Sequence, residues 1–449
     1  MIQKFDVFII GSGPAGVTAA FEFLEAGYKV GITDKREYGG TCPLRGCDPK
    51  KTLTGAAELM DAYSNLSDIS ITGNIEIDWK GLISYKREFT DPVSTRLEHH
   101  LSEYGGTCMH GEATFIDENR LQVGDNEIEA DHILIATGAG PKKLPIAGFE
   151  HTVDSEYFLD METLPDDIVF LGGGYIAFEF AHIAARAGAD VTVLEAMDRP
   201  LQAFEQDIVN LLLRTHEEIG IAVYTGIPAT RIEKDKNGFI VRAGENGGHS
   251  FYTDLVVNTV GRVPNTAGLN LEKGNIKADK GHIAVNNYMQ STTNPHVYVA
   301  GDSNANSLQL TPVAVKEAET AAHNIMNGNT LEADYTAIPT ALYTLPPVAS
   351  LGLTEAQAKE KGIDVHVNFQ DTTNWYSSWR IAEKASGFKI IIDKKTDLLV
   401  GVHLLGNHSE ELINLFALAM REKITRNRLK DMLFAYPTVG SNISSMLEM

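Results

Sequence analysis

The sequence is poor in cysteine, in tryptophan and in positive charge. Its 449 residues include 3 cysteines and 3 tryptophans, and 38 basic residues stand against 60 acidic ones, for a net charge of -22. Three cysteines are too few for a disulfide framework, which excludes a small disulfide-stapled secreted fold. The acidic balance and the lack of a basic run make nucleic acid and anionic membranes poor partners.

Long hydrophobic runs are also missing. No stretch approaches the roughly 20 apolar residues that a membrane-spanning helix needs. The first residues pass from a short apolar run directly into the glycines of GSG, without the basic start and cleavage site of a signal peptide. We therefore expect a cytoplasmic protein that does not bind membranes.

What the sequence does contain is one pattern that occurs twice. An apolar strand, a glycine-rich turn, a helix and a second strand ending in an acidic residue occupy residues 5–34 and again residues 167–195. The glycines allow a tight turn and a close approach of backbone to a pyrophosphate, which then lies at the helix N-terminus. Two such units predict an α/β protein with two doubly wound, Rossmann-like dinucleotide-binding domains.

Acidic residues end both units, at the positions from which a carboxylate accepts hydrogen bonds from ribose hydroxyls. These residues are Asp34 and Glu195. Glu195 would repel the 2′-phosphate of NADPH, and the following Ala196 and Met197 offer no arginine to bind that phosphate. Arg199, the nearest cation, is interpreted as a solvated loop residue. We therefore predict NADH as the nucleotide, with NADPH as the alternative.

Two of the cysteines, Cys42 and Cys47, stand five positions apart in GGTCPLRGCDPKK. On a regular helix this spacing gives about 7.5 Å of rise, whereas the Cα atoms of a disulfide usually lie within about 6.8 Å. The pair therefore needs an irregular first turn, which Gly46 permits and in which Pro49 is tolerated. The sequence thus predicts a break in the helix between the two thiols.

The chemistry of this cysteine pair follows from its place. A thiolate at a helix N-terminus is stabilised and reactive near neutral pH. Two thiolates are only half of a closed zinc site, and no second pair of ligands follows, so we favour a redox dithiol over a metal site. Asp48 should oppose thiolate formation unless its carboxylate points away.

With these motifs in order, the chain resembles the flavin-dependent pyridine nucleotide-disulphide oxidoreductases, the family of glutathione reductase, dihydrolipoamide dehydrogenase and mercuric reductase. The motifs are GSGPAG, GGTCPLRGC, ATG, GGGYIAFE, GRVPN, AGD and GLTEAQAKEKG. The resemblance covers essentially the whole chain. It implies an FAD-binding domain at residues 1–150 and 270–334, an NAD(P)H-binding domain at 151–269, and an α+β dimerisation domain at 335–449.

The resemblance also implies which residues bind the cofactors and perform the reaction. FAD and NAD(P)H would be held by Gly11, Gly13, Gly16, Asp34, Thr41, Thr137, Gly138, Gly172, Gly174, Tyr175, Ala177, Glu195, Gly261, Asp302, Thr311 and Ala314. Cys47 would face the flavin, and Cys42 would exchange with the substrate. Lys50 and Glu179 would form an ion pair beside the flavin.

Two departures from the family pattern concern the substrate. Tyr436 stands where the disulfide-reducing members have an acid–base histidine, and Ser441 replaces its glutamate partner. A phenol with a pKa near ~10 is a poor base at neutral pH, so Tyr436 would be a proton donor or filler. Phe21, Glu22 and Glu319 replace the arginines of glutathione reductases and should repel that anionic tripeptide.

The remaining unusual residues are interpreted as structural. Cys108 is expected on a strand as an inert thiol. His99 and His100 are expected on the surface of a helix. The aromatic residues of NWYSSW, Trp375 and Trp379 among them, are expected to pack at an interface.

We therefore predict an FAD-dependent oxidoreductase that passes electrons from NADH through FAD and the Cys42–Cys47 pair to a small disulfide other than glutathione. It would be a homodimer in which the Tyr436 segment of one chain completes the active site of the other, with no resident metal. The alternative is a reductase of metal ions, quinones or other electron acceptors, which needs no acid–base histidine. A third hypothesis is a redox-sensing or structural flavoprotein with little turnover.

Overall fold

The computed structural model describes residues 2–67 and 69–448. Its strands are β1 (Gln3–Ile10), β2 (Val30–Asp34), β3 (Thr107–His110), β4 (Ala113–Phe115), β5 (Arg120–Val123), β6 (Asn126–Ile135), β7 (Ala139–Pro141), β8 (Asp167–Leu171), β9 (Asp190–Leu194), β10 (Ile221–Tyr224), β11 (Ala229–Asp235), β12 (Gly238–Ala243), β13 (His249–Thr253), β14 (Leu255–Asn258), β15 (Arg262–Pro264), β16 (Ala278–Asp279), β17 (His282–Ile283), β18 (Val297–Val299), β19 (Thr340–Leu342), β20 (Val348–Gly352), β21 (Val365–Asp371), β22 (Gly387–Asp393) and β23 (Leu399–Leu405).

The α-helices of the same residues are α1 (Pro14–Glu25), α2 (Thr41–Arg45), α3 (Cys47–Leu66), α4 (Trp79–Thr90), α5 (Val93–Glu103), α6 (Ser155–Asp160), α7 (Tyr175–Arg186), α8 (Gln206–Leu213), α9 (Thr311–Asn327), α10 (Glu355–Glu360), α11 (Tyr376–Trp379), α12 (Ser409–Arg421), α13 (Arg426–Lys430) and α14 (Ile443–Met446). Among the described residues, no helix combines the length and the apolar composition that crossing a membrane requires.

The chain forms two compact units, of which the first comprises Met1–Lys50, Ser84–Lys142 and Gly261–Tyr335. Its centre is a seven-stranded sheet of order β3-β2-β1-β6-β5-β4, with β18 also paired to β6. Strands β1, β2, β3, β6 and β18 run parallel, and β4 and β5 are antiparallel. The last four residues of β1 are buried, as expected for a central strand whose two faces are covered. This sheet confirms the first predicted strand–helix–strand unit.

The second unit comprises Lys51–Ile83, Lys143–Val260 and Thr336–Met449. Its four-stranded sheet has the order β10-β9-β8-β14, and every pairing in it is parallel. Helix α7 follows β8 and precedes β9, which confirms the second predicted unit. The predicted α/β fold class is therefore confirmed.

Two antiparallel sheets complete the second unit. One has the order β11-β12-β13, and the other has the order β19-β20-β23-β22-β21. Helix α12 packs against β20 and β23 of the five-stranded sheet and buries Leu412, Ile413 and Phe416 in its core. This segment gives the chain an α+β C-terminal part, and the three predicted domain ranges stay a prediction.

Candidate redox and nucleotide sites

The first glycine-rich turn joins β1 to α1 and leaves no room for a Cβ at Gly11 or Gly16. Gly11 has φ of 106°, and a Cβ there would lie 2.3 Å from the carbonyl oxygen of Ala136. A Cβ on Gly16 would lie 1.9 Å from the carbonyl oxygen of Gly11. Gly13 precedes the first residue of α1, Pro14. The turn therefore exposes backbone and the N-terminus of α1, which suits a pyrophosphate.

Asp34 is held at the end of β2 by the same turn. Its Oδ2 accepts hydrogen bonds from the backbone N–H of Ser12 at 2.8 Å and from the Ser12 hydroxyl at 2.7 Å. Its Oδ1 accepts the N–H of Arg36 at 2.9 Å. These three bonds fix a carboxylate beside the turn, where a ribose is bound in dinucleotide folds.

Two buried hydroxyls near the C-terminal ends of the sheet strands have no hydrogen-bond partner within the described residues. They are Thr137 Oγ1, two residues after β6, and Ser303 Oγ, four residues after β18. Buried polar groups are normally satisfied, so these two hydroxyls suit a bound polar group. Asp302 lies beside Ser303, and burial raises the pKa of its carboxyl while Arg262 acts in the opposite direction.

The other predicted cofactor-binding residues of the first unit lie on the same unit as the glycine-rich turn. Gly138 and Gly261 have φ of 62° and 111°, and Thr41 is the first residue of α2. Thr311 and Ala314 lie in the first turns of α9. Together with the first glycine-rich turn and the hydroxyls of Thr137 and Ser303, these residues form a site that fits FAD.

The cysteine segment is broken at Gly46. Helix α2 ends at Arg45 and α3 begins at Cys47, so the predicted irregular turn is confirmed. A Cβ on Gly46 would lie 2.9 Å from the carbonyl oxygen of Thr41. Cys42 is half-buried within α2, whereas Cys47 is exposed as the first residue of α3.

The two thiols and one hydroxyl form a cluster. Thr311 Oγ1 lies 3.9 Å from Cys47 Sγ, and Cys42 has hydrogen bonds with both Cys47 and Thr311. The hydrogen bond to Cys47 and burial raise the pKa of Cys42, and the nearby charge of Asp48 acts in the same direction. Burial raises the pKa of Asp48 itself.

Lys50 is buried on the first turn of α3, where its N–H donates to the carbonyl of Gly46 at 3.1 Å. Its predicted partner Glu179 is buried on α7 of the second unit, where Oε1 accepts the N–H of Tyr343 at 3.0 Å. Each of these hydrogen bonds lies within one of the two units. The Lys50–Glu179 ion pair stays a prediction.

The second glycine-rich turn, between β8 and α7, repeats the crowding of the first. Gly172 has φ of 93°, and a Cβ there would lie 2.8 Å from the carbonyl oxygen of Thr259. Gly174 precedes the first residue of α7, and a Cβ on it would meet nothing within 4 Å. Ala177 is buried on α7, and Tyr175 begins that helix with 46% of its surface exposed. This turn suits a second dinucleotide.

Glu195 directly follows β9, and both of its carboxylate oxygens are bonded to backbone N–H groups. Oε2 accepts the N–H of Gly173 at 2.7 Å, and Oε1 accepts the N–H of Met197 at 2.8 Å. Arg199 differs from its interpretation as a solvated residue, since its guanidinium donates to the carbonyls of Gln202 at 2.8 Å and Phe204 at 3.3 Å. The Arg199 side chain therefore stabilises the loop to which it belongs.

Tyr436 lies between α13 and α14 of the second unit, with 82% of its surface exposed in the single chain. Thr438 accepts the N–H of Ser441 at 3.2 Å, which starts the turn that follows. The structure thus brings Cys42, Cys47 and Thr311 together in the first unit, and it places Glu179 and Tyr436 in the second. The role of Tyr436 stays a prediction.

The residues expected to be structural lie largely where the sequence predicts them. Cys108 lies on β3, half-buried, and burial raises the pKa of its thiol. His99 and His100 lie exposed on α5, confirming the predicted helix. Trp375 packs against Phe388 with ring centroids 5.7 Å apart.

The other two aromatic residues of that segment point outward. Tyr376 and Trp379 are 58% and 69% exposed, and their rings stack with centroids 6.5 Å apart. Their predicted packing at an interface stays a prediction. Phe21 and Glu319, which replace arginines of glutathione reductases, both have partners within the chain. The Phe21 and Tyr104 rings lie with centroids 5.3 Å apart, and the Glu319 carboxylate forms an ion pair with Lys316 at 3.0 Å.

Sequence reasoning missed several residues of these sites. Ser303 follows the AGD motif by one position, and Arg262 is the second residue of the GRVPN motif, so the motifs themselves were the available signal. His182 follows Glu179 by three positions on α7, which places both on one helix face. Within the described ranges, no three His, Cys, Asp or Glu side chains are grouped closely enough to hold a metal ion.

Fold and sites together define a protein class: a two-dinucleotide oxidoreductase with a dithiol at a helix N-terminus. The family model of pyridine nucleotide-disulphide oxidoreductases matches residues 5–318, and that of the dimerisation domain of the same family matches residues 338–447. The chain belongs to this family. Its members depend on FAD and use NAD(P)H, so the predicted family and enzyme class are confirmed.

Individual relatives agree over nearly the full length. The chain is 32% identical to a dihydrolipoyl dehydrogenase of Bacillus subtilis, covering 98% of this chain and 97% of the relative. It is 29% identical to a glutathione reductase of a Nostoc species, covering 99% and 100%. A solved structure, the Cu(II) complex of the HOCl-induced flavoprotein disulfide reductase RclA from Escherichia coli, matches with a TM-score of 0.90 and 28% identity, covering 99% of each chain.

Proposed function

We propose that the protein is an NADH-dependent disulfide reductase acting on a small, uncharged or cationic disulfide. The observation that carries this proposal is the break at Gly46, which brings the thiols of Cys42 and Cys47 within hydrogen-bonding reach at the start of α3. Bound FAD would supply the two-electron step between NADH and this pair. The dithiol then stores two electrons as two S–H bonds.

Substrate reduction is assigned to Cys42. Cys42 gives its proton to water, which later restores the proton donor, and its thiolate attacks one sulfur of the substrate. The substrate S–S bond breaks, and a mixed disulfide forms. The leaving thiolate takes a proton, for which Tyr436 of the second chain of a homodimer is the proposed donor. Cys47 then attacks Cys42, releasing the second thiol and restoring the disulfide. One NADH and one proton are consumed for each disulfide reduced to two thiols.

The preference for NADH is supported by the loop after β9. Glu195 is fixed by two backbone N–H groups, so its charge stays where a 2′-phosphate would have to lie. Arg199 donates to two carbonyls of its own loop and is not presented to such a phosphate. Both observations favour the ribose of NADH.

Anaerobic titration with NADH tests the dithiol. We expect about two two-electron equivalents per FAD in the native chain, one for the flavin and one for the disulfide, and about one in Cys42→Ser. Consumption of a single equivalent by the native chain would sink the proposal. Turnover is then measured with a panel of disulfides of different charge, with oxidised glutathione as the anionic member and the expected poorest substrate.

Reduction of Cu(II) is a second candidate. The specific observation in its favour is the Cu(II) complex of the structurally similar RclA, and this reaction does not require the acid–base histidine that position 436 lacks. One NADH would reduce two Cu(II) ions to two Cu(I) ions and release one proton, and no leaving thiolate needs protonation. A Tyr436→Phe variant separates the candidates, because disulfide turnover should fall while Cu(II) reduction should not.

A further inference from the structure

Residues on one face of α7 form hydrogen bonds with the short segment Tyr343–Leu345, which precedes β20. Glu179 Oε1 accepts the N–H of Tyr343 at 3.0 Å, and His182 Nδ1 accepts the N–H of Leu345 at 3.1 Å. Arg186 donates to the carbonyl of Leu345 at 3.3 Å. The three helical residues are three and then four positions apart, so they lie on one face of the helix.

The central member of this set, His182, has a fixed protonation pattern. Because Nδ1 accepts a backbone N–H, its proton is on Nε2, which lies 3.2 Å from His216 Nε2. His216 must therefore accept there and carry its proton on Nδ1, which donates to the carbonyl of Leu212 at 2.8 Å. All four ring nitrogens are satisfied with both rings neutral.

The two histidines are also sealed from solvent. His182 is 0% and His216 2% exposed. Burial lowers the pKa of both rings, that of His216 to about 4, and the neighbouring charge of Arg186 lowers both further. Arg186 is itself ion-paired with Asp61 of α3. The pair therefore stays neutral, and His182 keeps its acceptor, throughout the neutral pH range.

The segment held by His182 also touches α3. The ammonium of Lys51 lies 4.6 Å from the centre of the Tyr343 ring. Thus the backbone N–H of Tyr343 donates to the buried Glu179 carboxylate, and its ring contacts Lys51, the neighbour of Lys50 in sequence. A small displacement of the segment would withdraw the backbone donor that orients Glu179.

We propose that His182 is a positioning residue for Glu179, holding the segment Tyr343–Leu345 against α7 so that the Glu179 carboxylate keeps one orientation. The inference rests on the proposed function and on the predicted ion pair of Glu179 with Lys50 beside the flavin, which the family resemblance implies. His182 touches neither cofactor nor substrate and acts through the backbone of the segment.

Three variants test this role: His182→Leu removes the acceptor, His182→Asn keeps an acceptor at the position of Nδ1, and His403→Leu is the matched control. His403 is another buried histidine of the same unit, bonded to Ser350 and Leu353. His182→Ala replaces the leucine variant should the latter not fold. The readouts are amide hydrogen exchange of the peptide containing Tyr343 and Leu345, and the rate of flavin reduction by NADH in the FAD-loaded protein.

We expect His182→Leu to speed exchange of that peptide about tenfold or more and to slow flavin reduction about fivefold. His182→Asn should restore both values to within about twofold, and His403→Leu should lower thermal stability without either effect. Unchanged exchange in His182→Leu would overturn the proposal. So would a slowing of flavin reduction that His403→Leu reproduces.

A double variant separates the inference from the function on which it rests. In a Glu179→Gln background, His182→Leu should bring no further loss of flavin reduction, because the two residues act in one chain of contacts. An equal additional loss would show that His182 does not act through Glu179 and would overturn the proposal. If Glu179→Gln alone leaves flavin reduction unchanged, the assigned role of Glu179 is wrong, and hydrogen exchange alone decides whether His182 holds the segment.

Discussion

At the scale of single residues, the most informative side chains are charged groups whose partners are backbone atoms. The Glu195 carboxylate is bonded to the N–H groups of Gly173 and Met197, and the Arg199 guanidinium to two carbonyls. Backbone partners fix the position of a charge without neutralising it. The Glu195 carboxylate is therefore held in one place beside the second nucleotide turn, where we predict that the ribose of NADH binds.

Replacing Glu195 by Ala should relax the choice of nucleotide. We expect the native chain to favour NADH over NADPH, and the variant to lose about tenfold of that preference in kcat/KM, since a repelled 2′-phosphate becomes tolerated. Asp198→Ala is the control because it removes the same charge from the same exposed loop but not the bonded carboxylate. An equal change in both variants would mean that overall charge decides the preference.

A second residue-scale prediction concerns Glu383. Its carboxyl is buried, Oε1 accepts the N–H of Asn407 at 2.5 Å, and burial raises the pKa to about 7 from an ordinary value of 4.5. Because the folded-state pKa lies above the unfolded one, the stability this group contributes is complete below about pH 4.5 and is lost as the pH rises through about 7.

Glu383→Gln should therefore gain stability relative to the native chain as the pH rises. We expect the difference in free energy of unfolding to grow by on the order of 2–3 kcal/mol between pH 5 and pH 8.5, measured as thermal or urea unfolding across that range. The exposed Glu360 supplies the control, since Glu360→Gln should give a difference that does not vary with pH. A pH-independent difference for Glu383→Gln would contradict the prediction.

At the scale of elements, we expect the break between α2 and α3 to set the geometry of the predicted redox dithiol. Gly46→Ala would place a Cβ 2.9 Å from the carbonyl oxygen of Thr41, so backbone must move and the two cysteines with it. We expect disulfide turnover to fall about tenfold or more while flavin reduction by NADH persists, because only the second step uses the thiols. Steady-state turnover and anaerobic flavin reduction measure the two steps.

The same helix offers a matched control for that substitution. Gly55 lies within α3, and a Cβ on it would meet nothing within 4 Å. Gly55→Ala should leave turnover unchanged and raise stability by up to about 1 kcal/mol, since alanine is the better helix former. If Gly46→Ala retained full turnover, the cysteine geometry would not depend on the break.

At the scale of the whole molecule, features that depend on neighbouring residues could be predicted from the sequence. Contacts between residues far apart in the sequence could not. The two strand–helix–strand units follow from glycine spacing and apolar runs, and the helix break follows from the five-residue cysteine spacing, so both are visible locally. Thr311 contacts Cys47 across 264 positions, and family resemblance alone supplied it. Arg199 is predicted to be solvated because the local sequence does not show that its guanidinium binds the carbonyls of Gln202 and Phe204.

A second feature at this scale is an apolar surface near the C-terminus that is exposed in the single chain. Leu433 is 101% exposed, Met432 50% and Tyr436 82%, all within the range matched by the dimerisation-domain model. Adjacent apolar side chains so exposed on one segment are typical of a protein–protein contact. We therefore expect a homodimer that buries this segment.

Leu433→Glu should then convert the dimer to monomers, because burying a carboxylate without a partner at the contact costs several kcal/mol. Light scattering coupled to gel filtration measures the mass, which should fall by half. Disulfide turnover should fall with it, since Tyr436 no longer reaches the other chain, whereas flavin reduction by NADH within each chain should persist. Tyr252→Glu, at another site that is 70% exposed, should change none of these values. A Leu433→Glu monomer with full disulfide turnover would show that one chain holds the complete site and that Tyr436 of a second chain takes no part.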